Sequence, residues 1–200
     1  MRSVLVAVCA SAVFGVCGAV PAVAQTSTPV QATAVASSPV LSLAPLTDLF
    51  AERLLVADKV AAAKYGTDKP IDDPVREQQI LDDVSSRAVG LGLDPAAVAA
   101  VFRDQIEANK VVQRGLYARW DAHPELRPVE RPDLVTEVRP VLDRITSELL
   151  GALAETEGVR SSGGGCEVRL VVAAGRSARG YGLDGLHLVG LGRAVPSVCG

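Results

Sequence analysis

Histidine is nearly absent from this chain, with only His123 and His187, and the four cysteines stand far from one another. No pair has the spacing of a metal-ligand set, which argues against a zinc centre. Aromatic residues are also scarce, at 4%, so any core must be aliphatic; hydrophobic residues at 48% of 200 supply one readily. An excess of basic charge is missing too. The formal net charge of -3 leaves no electrostatic footprint for nucleic acid. β-Branched runs are few before residue 160, and the richness in Ala and Leu points to helices. No internal repeat is visible.

What is present begins with a targeting pattern. Arg2 makes a short positive region, an apolar run follows through "SVLVAVCASAVFGVCGAV", and "AVA" at Ala22–Ala24 precedes Gln25. This reads as a secretory signal over 1–24, cut after Ala24, rather than as a retained anchor. The mature protein is then secreted or periplasmic, without stable membrane association. Residues 25–44 are rich in Ser, Thr, Pro and Ala without periodicity and read as a flexible leader. Cys9 and Cys17 leave with the signal. Cys166 and Cys199 remain, and two cysteines in an exported protein most simply form one disulfide.

Four helices are predicted. The first runs from about Leu46 to Lys64, capped by Thr47 or Asp48, with Leu46, Leu49, Phe50, Leu54 and Ala57 on one stripe. The second starts within "KPIDDPVREQQIL", with Asp73 as cap, Pro74 at the first helical position and Val75, Ile80 and Leu81 turned inward. The third starts at Asp94–Pro95 and runs as far as Trp120; the fourth covers Leu134 to Glu155, kinked or restarted by Pro140. A helical domain therefore spans 45–156, and a Gly-rich extension spans 157–200.

Polar residues fall where these stripes call for apolar ones. Arg53 and Lys64 are eleven apart, close to three helical turns, and so project from one line ~16 Å apart. Asn109 and Gln113 are four apart on the third helix. Arg76 and Glu77 share the first turn of the second, and Arg139 stands near the start of the fourth. Each alone reads as a snorkelling or salt-bridged surface group. Together, three arginines and a lysine in one bundle core need anions. Arginine forks suit carboxylates, so the set fits a small dianion.

With the order Arg…Lys…Asp-x-x-Arg-Glu…Asn-x-x-x-Gln carried by "AERLLVADKVAAAKY", "KPIDDPVREQQIL" and "LDPAAVAAVFRDQIEANKVVQ", and more loosely by "DLVTEVRPVLDRI", the chain resembles the exported class of AroQ-type, all-α chorismate mutases over Leu46–Leu150. The resemblance implies an all-α bundle, a homodimer, and rearrangement of chorismate to prephenate without metal or cofactor. It implies that Arg53, Arg76 and Arg139 grip substrate carboxylates, Arg139 from within the same chain. Lys64 would bind a carboxylate and the ether oxygen, and Gln113 would donate to that oxygen. Glu77 would accept from the ring hydroxyl, assisted by backbone near Asp73, and Asn109 would stand beside them. It also implies a disulfide, here Cys166–Cys199, closing a helical extension.

The tail sets a counter-expectation, because interior glycine costs ~1 kcal/mol in a helix. "EVRLVVAAG" looks strand-like, and Gly180–Gly185 spells G-x-G-x-x-G. A dinucleotide site would need a further helix and strand, and the chain ends fifteen residues later, so the motif reads as chance. The rival function is an inactive secreted module that binds a small dianion or a protein partner.

Overall fold

A computed structural model describes residues 42–200. The expected export signal, its expected cut after Ala24 and the expected leader up to residue 41 lie outside the described residues. Every regular element among the described residues is helical. α1 spans Ala44–Lys64, α2 Pro74–Gly90, α3 Pro95–Ala122, α4 Arg139–Glu155, α5 Glu157–Arg160, α6 Cys166–Gly180 and α7 Gly185–Ala194. The 28-residue α3 is the axis of the bundle and packs against α1, α2 and α7. The fold is the all-α bundle that the apolar periodicity predicts.

α1 begins two residues before Leu46, and its cap differs from the expected one. Leu43 occupies the cap position without a side-chain hydrogen bond, and its own side chain is buried. Thr47 and Asp48 are committed elsewhere. The Thr47 hydroxyl lies 2.8 Å from Ser177 Oγ, and Asp48 accepts from Ser177 Oγ at 2.6 Å, which fastens α1 to α6. Leu46, Phe50, Leu54 and Ala57 are fully buried.

In α2 the Asp73 carboxylate accepts from Arg76 N at 3.0 Å, while Asp73 N donates to Glu77 Oε1 at 3.1 Å. This reciprocal cap settles where the helix starts. Val75 departs from expectation and is 70% exposed. It sits six residues before Leu81, about 120° round the helix from it. The buried stripe is instead Leu81, Val84 and Ala88.

Pro140 restarts the fourth helix. It lacks the N–H that would bond the Thr136 carbonyl. The chain answers with a π-helical turn over Leu134–Val138, in which Val138 N reaches Asp133 O at 3.1 Å, and α4 follows. Asp133 and Glu137 cap this turn much as Asp73 and Glu77 cap α2.

The glycine-rich tail corrects the counter-expectation drawn from its composition. The strand-like run lies inside α6, and the G-x-G-x-x-G stretch is the turn into α7, with Gly182 at φ +64°. Two glycines explain the close packing. A Cβ on Gly190 would sit 2.9 Å from Leu54 Cδ2 and from Val112 Cγ2; one on Gly115 would sit 2.4 Å from Leu186 Cδ1. The helix penalty is offset because α7 gains close contact with α1 and α3. Cys166 and Cys199 form a disulfide, with Cα atoms 5.8 Å apart. Arg193 and Ser197 N bind Asp104 of α3 at 2.5 and 2.9 Å, and Gln105 Nε2 donates to Ala194 O at 2.8 Å.

Candidate active site

A cavity of about 480 Å³ opens between α1, the start of α2, the middle of α3 and the π-turn leading into α4. Arg53, Lys64, Asp73, Arg76, Glu77, Asn109, Gln113 and Arg139 all line it. Val60, Ile80, Ile106, Leu134, Val138 and Leu142 supply apolar wall between them. Eight polar side chains from four segments thus reach one space.

They do not share one depth. Arg53 is 5% exposed, and its Nε and Nη1 are buried with no partner among the described residues. Burial pushes its pKa down to about 10, against a partial offset from Asp143. Gln113 is 4% exposed, and its Oε1 also has no partner among the described residues. Turning the amide exchanges its oxygen for its NH₂, so the side chain can present a donor to the cavity. Arg76 and Arg139 are exposed, contrary to the expectation of four buried cations. They reach the cavity from its mouth, where their charge stays hydrated while their stems cover apolar wall.

Lys64 is half-buried and donates to Pro70 O at 2.8 Å, leaving two N–H groups. Burial lowers its pKa, opposed by Asp73, Glu77 and Asp72. Asn109 Nδ2 contacts Arg53 O at 3.4 Å. Glu77 Oε2 accepts from Lys110 Nζ at 2.7 Å.

Sequence reasoning passed over Lys110, Asp143 and Thr146, which also line the cavity. Lys110 was within reach of it. Stepping four from Ile106 and three back from Gln113 lands on Lys110, so it belongs to the inner stripe. Asp143 carries no such signal, since it acts on Arg53 only through the packing of α4 on α1.

A second hollow of about 560 Å³ lies beside Trp120 and the segment 128–132. It sets Lys59 and Arg131 against Asp58, Glu130 and Glu137, and none of its lining side chains has a buried unpaired polar atom. The larger volume is therefore the poorer candidate, because buried unpaired donors mark where a ligand is wanted.

Comparison with known proteins agrees with this geometry. The family described as Chorismate mutase type II matches residues 44–114. A secreted chorismate mutase of Mycolicibacterium smegmatis is 36% identical over 181 residues, covering 90% of this chain and 97% of the relative. That of Mycobacterium tuberculosis is 34% identical over 157 residues, 78% of each chain. The crystal structure of the chorismate mutase from Burkholderia thailandensis superposes with a TM-score of 0.74 at 39% identity, covering 78% of this chain and 98% of that one. Matched over nine-tenths of its length with a secreted relative and over most of it with a solved structure, the chain belongs to the type II chorismate mutase family.

Proposed function

We infer that the cavity binds chorismate and catalyses its rearrangement to prephenate. One observation carries the reading: the buried, unpartnered N–H groups of Arg53 share a cavity with Lys64, Gln113 and the mouth arginines Arg76 and Arg139. A buried guanidinium without an acceptor is costly, and a substrate carboxylate would satisfy it.

The reaction is unimolecular. The ether C–O bond breaks as a C–C bond forms between the enolpyruvyl arm and the ring, with no nucleophile, metal or redox partner. The protein must hold the arm over the ring and stabilise charge growing on the ether oxygen. Arg53, Arg76 and Arg139 would grip the two carboxylates. Lys64 and Gln113 would donate to the ether oxygen, a kind of interaction worth about 3 kcal/mol per donor. Glu77 would accept from the ring hydroxyl, next to the capped start of α2 at Asp73. Asn109, on Arg53 O, would hold the backbone behind the guanidinium. The partial positive charge at the α2 N-terminus favours an anion at that end.

The targeting pattern at 1–24 and the secreted relatives support a secreted or periplasmic enzyme, and a cut after Ala24 belongs to the same reading. Its assembly as a homodimer is part of the same reading. The test is loss of chorismate absorbance on the purified mature chain, with and without reductant, and in Arg53→Ala and Lys64→Ala. Turnover in the parent, cut at least a hundredfold in both variants, is expected. No turnover, with the substitutions altering only ligand affinity, would instead describe an inactive binding module.

A further inference from the structure

Lys110 stands in the wall of the cavity with its side chain 9% exposed, and three carboxylates, from α2, α3 and the segment entering α2, converge on its ammonium. Glu77 Oε2 lies at 2.7 Å, Glu107 Oε1 at 2.8 Å and Asp72 Oδ1 at 3.3 Å. Glu77 and Glu107 each accept a hydrogen bond from the ammonium, and Asp72 completes the cluster as an ion pair. Asp72 is held further by Arg114, whose Nη2 donates to both of its oxygens at 2.6 and 2.8 Å. The network joins the segment entering α2 to the middle of α3. Glu77 is held at both ends: Oε1 accepts from Asp73 N and Oε2 from Lys110. Each oxygen keeps a second lone pair, and Glu77 lines the cavity.

We propose that Lys110 is a positioning residue for the rearrangement, holding the Glu77 side chain as an acceptor at the cavity wall and pinning the first turn of α2 to α3. The proposal rests on the reading of the cavity as a chorismate site. Its logic is electrostatic. Glu107 and Asp72 flank the same ammonium as Glu77, and without that charge three carboxylates crowd one another. Uptake of a proton is then the simplest relief, and a protonated Glu77 is a poorer acceptor for a substrate hydroxyl. None of the other cations facing Glu77 hydrogen-bonds its side chain. Lys64 of α1 acts on it through charge alone, since it donates to Pro70 O, with Lys69 beyond it on the connecting segment. On α2 itself Asp73 adds negative charge and Arg76 turns toward Gln79. Arg114 is spent on Asp72, and Arg139 reaches the cavity from the α4 side.

The test measures kcat/KM for chorismate from pH 8 to pH 5 in the parent, Lys110→Met and Lys110→Arg. The parent and Lys110→Arg should vary less than about twofold, while Lys110→Met should gain an acidic limb of about tenfold per pH unit below its midpoint. Adding Glu77→Gln to Lys110→Met should abolish that limb, whatever the remaining activity. Lys110→Gln serves as a second neutral variant, judged by the same limb. A flat profile in a folded neutral variant, at full or reduced activity, overturns the proposal. So does failure of both neutral variants to fold, since the ammonium would then be purely structural. A parent without turnover is a different result and removes the chorismate reading itself.

Discussion

One helix, α1, serves two purposes on two faces. Toward α2 and α4 it presents Arg53 and Lys64 to a cavity, and two buried N–H atoms of Arg53 have no partner among the described residues. Toward α6 and α7 it presents Thr47, Asp48 and Asp58, and each meets a partner. Thr47 and Asp48 bind Ser177, and Asp58 lies 3.0 Å from His187 Nε2. Both faces bury polar groups in an aliphatic bundle. Where those groups are paired the face is a joint; where they are unpaired the face awaits a ligand.

If that contrast is right, the two faces should fail differently. The largest effect is expected at Arg53. Arg53→Met should lower kcat/KM by about a thousandfold, as loss of a substrate-gripping charge does. The melting temperature should hold or rise, because an unpaired buried charge is replaced by an apolar chain. Calorimetry beside the chorismate assay checks both halves, and a large fall in melting temperature would make Arg53 structural.

The extension held by the joint should behave in the opposite sense. Replacing Cys166 and Cys199 by alanine opens a loop with a sequence separation of 33. Chain entropy then predicts a loss of about 3.5 kcal/mol of stability. Denaturant melts should show it, while kcat at 25 °C changes less than about threefold. A proportionate collapse of kcat would mean that the extension shapes the cavity directly.

Gln113→Glu sharpens the cavity side. An amide donates at any pH, whereas a carboxyl donates only when protonated. The variant should approach the parent near pH 5 and fall about a hundredfold by pH 8, and equal activity at the two pH values would remove Gln113 from the ether oxygen.

The smallest effect concerns the α7 cap. The His187 backbone N–H and its ring, 2.7 Å away at Nδ1, hold the Asp184 carboxyl down at about 2, below its ordinary 3.8. A depressed carboxyl adds stability above its unfolded value and loses it as pH falls toward the folded one. Melts should therefore show a modest loss between about pH 4 and pH 2 that Asp184→Asn largely removes.

Much of this was legible in advance. The caps at Asp73–Pro74 and Asp94–Pro95, the restart at Pro140 and the set from Arg53 to Arg139 follow from local patterns, because caps and stripes are properties of neighbouring residues. Other features were not. Val75 was expected inside and is outside, because the buried face of α2 is the one that carries Leu81, Val84 and Ala88. Lys110 lay on the inner stripe, yet its importance depends on Asp72 and Glu77 arriving from another element. The tail's glycines counted against helix until α7 was seen lying on Leu54 and Val112.

By itself the sequence determined where α2, α3 and α4 begin and end, which of their stripes are apolar and which charges interrupt them, since these depend on spacing along one chain. Tertiary structure alone decided which of those charges are paired. A hydrogen-bond partner tens of residues away is chosen by how helices pack, and that choice separates the joint from the cavity.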